Sequence, residues 1–199
     1  MKTIIFTFLL ALVTSCSKDD AKTDLTFSLP PETQTGANTF GVTINNKVYI
    51  PRDPTGINWA GQQGKGMYLT GLESSNYNYT EIVVVDGASS VGFKIIIHIE
   101  NPSPVGNYNL SQSNFQDQID SISENHIYFK IWDTNIKNYA YYGSIENEVE
   151  LNITRRDNGI ISGNFSGKFV RYDNPNEFIQ ITDGRFDINS FTLQNTPFP

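Results

Sequence analysis

From residue 39 onward, apolar and polar residues alternate with a period of two, the signature of half-buried strands. Phe40, Val42 and Ile44 share one face, and Val48 and Ile50 resume the alternation beyond Asn45-Asn46. Asparagine tolerates the left-handed region, so this pair predicts a two-residue hairpin turn. Glu81 to Val85 is apolar on both faces, as in a central, fully covered strand. Phe93, Ile95, Ile97 and Ile99 define one face of a long strand whose other face carries Lys94, His98 and Glu100. Ile127, Phe129 and Ile131 repeat this opposite His126, Tyr128 and Lys130, and Val149, Leu151 and Ile153 repeat it opposite Glu148, Glu150 and Asn152.

The last of these strands runs into Asp157-Asn158-Gly159, a strong hairpin signal, and returns through Ile161, Gly163, Phe165, Gly167 and Phe169. In the final strand the apolar parity changes between Ile179-Ile181 and Phe186-Ile188, which predicts a β-bulge at Asp183-Gly184. Only the segment from Ser111 to Asn125 has helical spacing, through Phe115, Ile119 and Ile122. Roughly 8–10 short strands with tight turns and no βαβ spacing predict an all-β antiparallel sandwich with at most one short helix. A closed or partly open β-barrel is the alternative; the single strand apolar on both faces favours the sandwich.

The first 38 residues lack this alternation and read as an address. Lys2 precedes a short apolar run, Ile4 to Val13, with the layout of a signal peptide over residues 1–15. The run is too short for a membrane-spanning helix, which needs roughly 20 apolar residues. Leu12-Val13-Thr14-Ser15-Cys16 resembles a bacterial lipobox, and Cys16 is the only cysteine in the chain, so a disulfide partner does not exist. The resemblance implies acylation of Cys16 and a membrane anchor through that lipid. Ser17-Lys18-Asp19-Asp20 resembles the export signal of Bacteroidota surface lipoproteins and implies the outer face of the outer membrane, the periplasmic face being the alternative. Residues 16–38, with Pro30-Pro31, read as a tether, 39–193 as one β domain and 194–199 as a frayed tail. Leu25, Phe27 and Leu29 alternate, so a short docking strand at the end of the tether is open.

Leu29-Pro30-Pro31-Glu32-Thr33-Gln34-Thr35-Gly36-Ala37-Asn38-Thr39-Phe40-Gly41 resembles the opening of an uncharacterised domain family of Bacteroidota lipoproteins. Asn46-Lys47-Val48-Tyr49-Ile50-Pro51 and Ile181-Thr182-Asp183-Gly184-Arg185-Phe186-Asp187 are similar to its first hairpin and its close. The first turn holds Asn46 where that family often has glycine; both accept positive φ. The resemblance implies a single envelope domain and carries no activity.

Composition narrows the chemistry. A net charge of −7 argues against nucleic acid. With two histidines and one cysteine, no zinc motif and no catalytic triad is legible, and neither a metal nor another cofactor is expected. His98 and His126 read as solvated strand residues. Asp183 and Asp187 flank Arg185, where ion pairing competes with a carboxylate-dependent hydrolase. Gly61-Gln62-Gln63-Gly64-Lys65-Gly66 lacks the Gly-Lys-Ser/Thr of a phosphate loop. Aromatic rings are the remaining signal: Trp59, Tyr77, Tyr79, Tyr139, Tyr141 and Tyr142 fall near loops or strand ends, where rings stack on sugars or anchor proteins. The function favoured is a non-catalytic surface module binding a glycan or a partner protein. A structural subunit of an envelope complex and the hydrolase are the alternatives.

Overall fold

The computed structural model describes residues 26–55, 64–73, 78–102, 105–116 and 124–199. Ten strands follow in order: β1 (Thr39–Ile44), β2 (Lys47–Tyr49), β3 (Met67–Glu73), β4 (Asn78–Val85), β5 (Lys94–Glu100), β6 (Gly106–Asn109), β7 (His126–Asp133), β8 (Asn138–Asp157), β9 (Ile160–Arg171) and β10 (Asn174–Asn189). They form one antiparallel sheet in the order β2-β1-β10-β9-β8-β7-β5-β4-β3, with β6 paired to β8. The terminal strands β2 and β3 do not pair, so the sheet is not closed into a barrel.

Long, irregular strands let this one sheet wrap one core. β8 spans 20 residues; its first part pairs β7 and its later part β6, with β9 along the other edge. Register shifts interrupt the β8–β9 ladder after Ser144 and Ile153, and bulges of this kind bend and twist a strand. The inward faces therefore meet. Phe129 of β7 lies edge-on to Phe169 of β9, with centroids 4.9 Å apart. Tyr49, near one end of the sheet, meets Phe93, just before β5, at 4.8 Å. A single parallel bridge between Arg52 and Asp86 joins the chain after β2 to the end of β4.

The turns form as their residues dictate. Asn45 and Asn46 both have positive φ between Ile44 and Lys47, and Asn158 and Gly159 do the same between Asp157 and Ile160. The bulge in β10 lies at the parity change: Ile181 faces Gly167 and Gly184 faces Phe165, three steps against two. A Cβ on Gly184 would come within 2.4 Å of the Phe165 ring, so glycine lets that ring close over the bulge. The helical expectation over Ser111–Asn125 fails in the described part. Residues 111–116 and 124–125 are not helical, and Phe115 has a φ of 63°; residues 117–123 lie outside the described residues.

The ends of the described chain are bound to the domain. Asp187 on β10 is 1% exposed and, among the described residues, accepts six hydrogen bonds. They come from the Thr33 and Thr35 hydroxyls, the Thr35, Gly36 and Ala37 amides, and the Ser162 hydroxyl of β9. Residues 33–37, assigned to the tether by their polarity, thus wrap a buried carboxylate. The tail also differs from expectation. Asn38 donates to the Thr192 and Thr196 hydroxyls, and the Phe198 amide donates to Asp53. Phe198 packs on the core beside a short 3-10 turn at Leu193–Asn195.

Burial alone would raise the Asp187 pKa, but the bonds from Thr33, Ser162, Ala37 and Gly36 outweigh it and hold the carboxyl well below the usual range. Its stabilisation is therefore complete above about pH 4 and fades as pH falls through the lower folded value. Asp187→Asn places an amide donor among donors, and urea denaturation is expected to show a loss of about 3 kcal/mol at neutral pH. A loss below roughly 0.5 kcal/mol would refute this role.

Candidate binding face

Near the turn between β9 and β10 the outward face of β7, β8, β9 and β10 carries rings and lysines, whereas further along β8 it carries Glu148 and Glu150. Cross-strand pairing sets the arrangement. Trp132 lies opposite Tyr139, Lys130 opposite Tyr141, and Tyr128, Gly143, Val170 and Phe178 form a row across the four strands. Tyr172 follows β9 and donates its amide to the Tyr141 carbonyl, which places it beside that tyrosine. Tyr172 is 72% exposed, Phe178 53% and Tyr141 38%. Trp132 and Tyr139 are half-buried and meet edge-on at 5.3 Å.

The rings are held in place. The Lys130 ammonium sits 4.3 Å from the Tyr139 centroid and 6.0 Å from that of Tyr141, and Lys168 sits 4.3 Å from Phe178. Such cation–π contacts stabilise by roughly 0.5–1 kcal/mol at exposed sites and restrict the side chains they join. Phe115 completes the surface from the segment before β7. It packs against Tyr128 at 5.9 Å and edge-on to Tyr172 at 5.0 Å. Gly143 makes room for it, since a Cβ there would lie 2.6 Å from the Phe115 ring.

Toward β3 the same face is closed. Thr70, Glu81, His98 and His126 form a row across β3, β4, β5 and β7. His98 Nδ1 lies 2.9 Å from Glu81 and Nε2 lies 3.0 Å from Glu100. Thr70 donates its hydroxyl to Glu81, and Tyr79 stacks on the His98 ring at 5.1 Å. Both histidines are buried, at 0% and 1% exposure, which corrects the reading of them as solvated. Burial lowers the His98 pKa, but the two carboxylates more than offset it and the net shift is upward. A carboxylate at each ring nitrogen is the arrangement of an imidazolium that donates twice. Next to it, Ser113 and His126 Nδ1 are 3.0 Å apart, and the Phe115 amide donates to the Ser113 hydroxyl. The buried pair thereby fixes the loop that presents Phe115.

The aromatic candidates separate accordingly. Tyr139 and Tyr141 reach the outward face. Tyr79 is spent on His98, and Tyr142 is 8% exposed, with its hydroxyl donating to Glu177 at 2.6 Å. Inward parity puts the Tyr142 ring in the core; burial and that bond push its pKa up to about 12. Cys16, Trp59 and Tyr77 lie outside the described residues. Trp132, Tyr172, Phe178 and Phe115 were missed. Their signal was present in part, because Trp132 alternates with half-buried Ile131 and Phe178 with buried Ile179.

The other candidates are structural. Asp187 is saturated with donors. Asp183 accepts the Thr43 amide, while Arg185 reaches the backbone carbonyls of Asp183 and Pro30, so the expected ion pairing with these acids does not form. Arg171 gathers Asp133, Asp173 and Glu177 at the end of the sheet and covers the core there. A groove of about 530 Å³ beside β2 contains Arg52 and Asp86, which pair with each other at 3.2 Å. Among the described residues no group of three or more His, Cys, Asp and Glu side chains is placed to hold a metal ion.

Because the His98 pKa is raised on folding, its contribution to stability is complete below about pH 6.5 and is lost as pH rises through the folded value. Denaturation measured across this range should show declining stability for the wild type, with the slope reduced in His98→Gln. An unchanged slope in that variant would show that His98 does not set it.

Comparison of this chain with protein-family models, with curated proteins and with solved structures gives no match.

Proposed function

We propose that this chain is a non-catalytic, lipid-anchored module of the bacterial envelope that binds carbohydrate across the outward face of β7–β10. The observation that carries the reading is the joining of Trp132, Tyr139, Tyr141, Tyr172, Phe115 and Phe178 on one side of four adjacent strands. Three strand spacings span roughly 14 Å, enough for several sugar rings to lie side by side. Aromatic faces stack against the C–H faces of pyranoses, while the tyrosine hydroxyls and the tryptophan N–H supply hydrogen bonds to sugar hydroxyls.

A protein partner fits less well. Interface centres are poor in lysine, whereas Lys130 and Lys168 stand within this strip. Val170 is the one aliphatic residue in the row that Tyr128, Gly143, Val170 and Phe178 form. Open, flat faces of this kind suit an extended polymer more than a small metabolite, which needs a concave site. The anchor follows from the lipobox resemblance at Cys16, and surface display from the acidic residues after it.

Affinity electrophoresis of the full-length protein against soluble polysaccharides tests the binding reading. Tyr141→Ala and Tyr172→Ala are each expected to weaken retardation by about tenfold without shifting the unfolding transition. Unchanged retardation in the double variant would overturn it. The anchor has its own test. Cys16→Ala should abolish palmitate labelling and release the protein from membranes, and persistent labelling would remove the lipid from the proposal.

A further inference from the structure

We infer that the pocket between β3 and the β8–β9 hairpin is a further binding site, which takes a small apolar carboxylic acid as its anion. This site is separate from the aromatic face proposed above. The pocket has a volume of about 350 Å³, toward the lower end of the roughly 300–1,000 Å³ of small-molecule sites. Leu69 of the terminal strand β3, with Ile160 and Ile161 of β9, supplies an apolar wall, and Arg156 supplies a positive charge.

Arg156 differs from the other arginines in what surrounds it. Arg52 pairs with Asp86, Arg155 with Asp157, and Arg171 with Asp133, Asp173 and Glu177, while Arg185 reaches two backbone carbonyls. Arg156 lies opposite the core residue Ile161, so its side chain leaves β8 on the inward face. It is half-buried, and among the described residues its one hydrogen bond runs 3.4 Å from Nη2 to the Thr80 hydroxyl of β4. A guanidinium carries five N–H donors, so most of this fork is left to whatever fills the pocket. Burial pulls the Arg156 pKa below the ordinary arginine value, and no carboxylate among the described residues offsets that, as three acids do for Arg171. Tyr108 of β6 also acts on the guanidinium; its own pKa is raised by burial, so it is a neutral neighbour at physiological pH. Asp157 lines the pocket too, but its carboxylate accepts from Arg155 at 2.6 Å.

A carboxylate seated at Arg156 completes the planar fork with two parallel hydrogen bonds. The body of the same molecule then covers Leu69, Ile160 and Ile161, which gain nothing from a compact inorganic anion. Charge and wall together therefore select an acid with an apolar body.

Titration calorimetry of the full-length protein in detergent, against a blank of detergent alone, tests the site with four probes: hexanoate, hexanamide, acetate and inorganic phosphate. Hexanoate is expected to bind about tenfold more tightly than its neutral isostere hexanamide, and acetate and phosphate to bind at least tenfold more weakly than hexanoate. Arg156→Gln should lower hexanoate affinity to that of hexanamide and leave hexanamide unchanged, whereas Arg155→Gln, one residue away and paired with Asp157, should leave hexanoate binding intact. A second variant does not touch the inward face. Ser190→Asp adds a carboxylate at an exposed position on the pocket rim and should weaken hexanoate severalfold by repulsion, without affecting hexanamide. Absence of hexanoate binding, or equal affinity for hexanoate and hexanamide, would overturn the site. Hexanoate binding that survives both Arg156→Gln and Ser190→Asp would place the acid elsewhere and overturn it as well. Phosphate or acetate binding as tight as that of hexanoate would overturn the assignment to an apolar acid.

Discussion

A buried carboxylate held by uncharged hydroxyl and amide donors organises the closure of this fold. Asp187 sits on β10, the strand that joins β1 to β9, and its charge is balanced by hydroxyl and amide donors. Three consecutive amides from residues 35–37 converge on it, the kind of backbone nest that stabilises an anion through oriented dipoles. Because the donors come from a segment some 150 positions away in sequence, the carboxylate closes a very long loop. Asn38 continues the connection, receiving the Asn189 amide and reaching Thr192 and Thr196. The beginning and end of the domain thus depend on one cluster of hydrogen bonds on β10, between β1 and β9.

With those ends fixed, the two faces of the sheet meet different environments. The inward face is continuous core from Phe40 to Ile188. The outward face divides. On its β4–β5–β7 side, Val83, Ile96 and Tyr128 form a second apolar cluster against which Phe115 packs, beside the row containing His98. On its β7–β10 side nothing among the described residues covers Tyr141, Tyr172 or Phe178. Phe115 marks the border, seated on Gly143 between Tyr128 and Tyr172. The buried Ser113–His126 contact holds the segment that carries it, which links the packed half of the face to its open half.

The candidate site was only partly legible because alternation reveals which residues share a face and not what lies above that face. Spacing alone assigns Lys130 to a polar face, and the structure keeps it there, opposite Tyr141 and on the same face as Trp132 and Tyr139. The same rule put His98 and His126 in water, yet they are buried beneath neighbours that the period of two does not encode. Tyr142 adjoins Tyr141 in sequence, and one step of parity sends its ring inward to Glu177. Tyr172 lies in the turn after β9 and Phe178 on β10, so only pairing between β8, β9 and β10 brings them to Tyr141.

The sequence by itself determined the local geometry: the strands, the asparagine- and glycine-rich hairpins, and the bulge at Asp183-Gly184. Each depends on side-chain parity or on φ angles that only a few residue types accept, and such constraints act within a few positions of one another. Tertiary structure alone decided that residues 33–37 clasp Asp187 and that residues 192–198 are tied down. It also decided that an imidazole lies between two glutamates and that one half of the outward face stays open. Those outcomes rest on contacts between residues far apart in the chain. Polar composition read locally points such residues toward water, whereas a partner folded against them satisfies the same groups inside the protein.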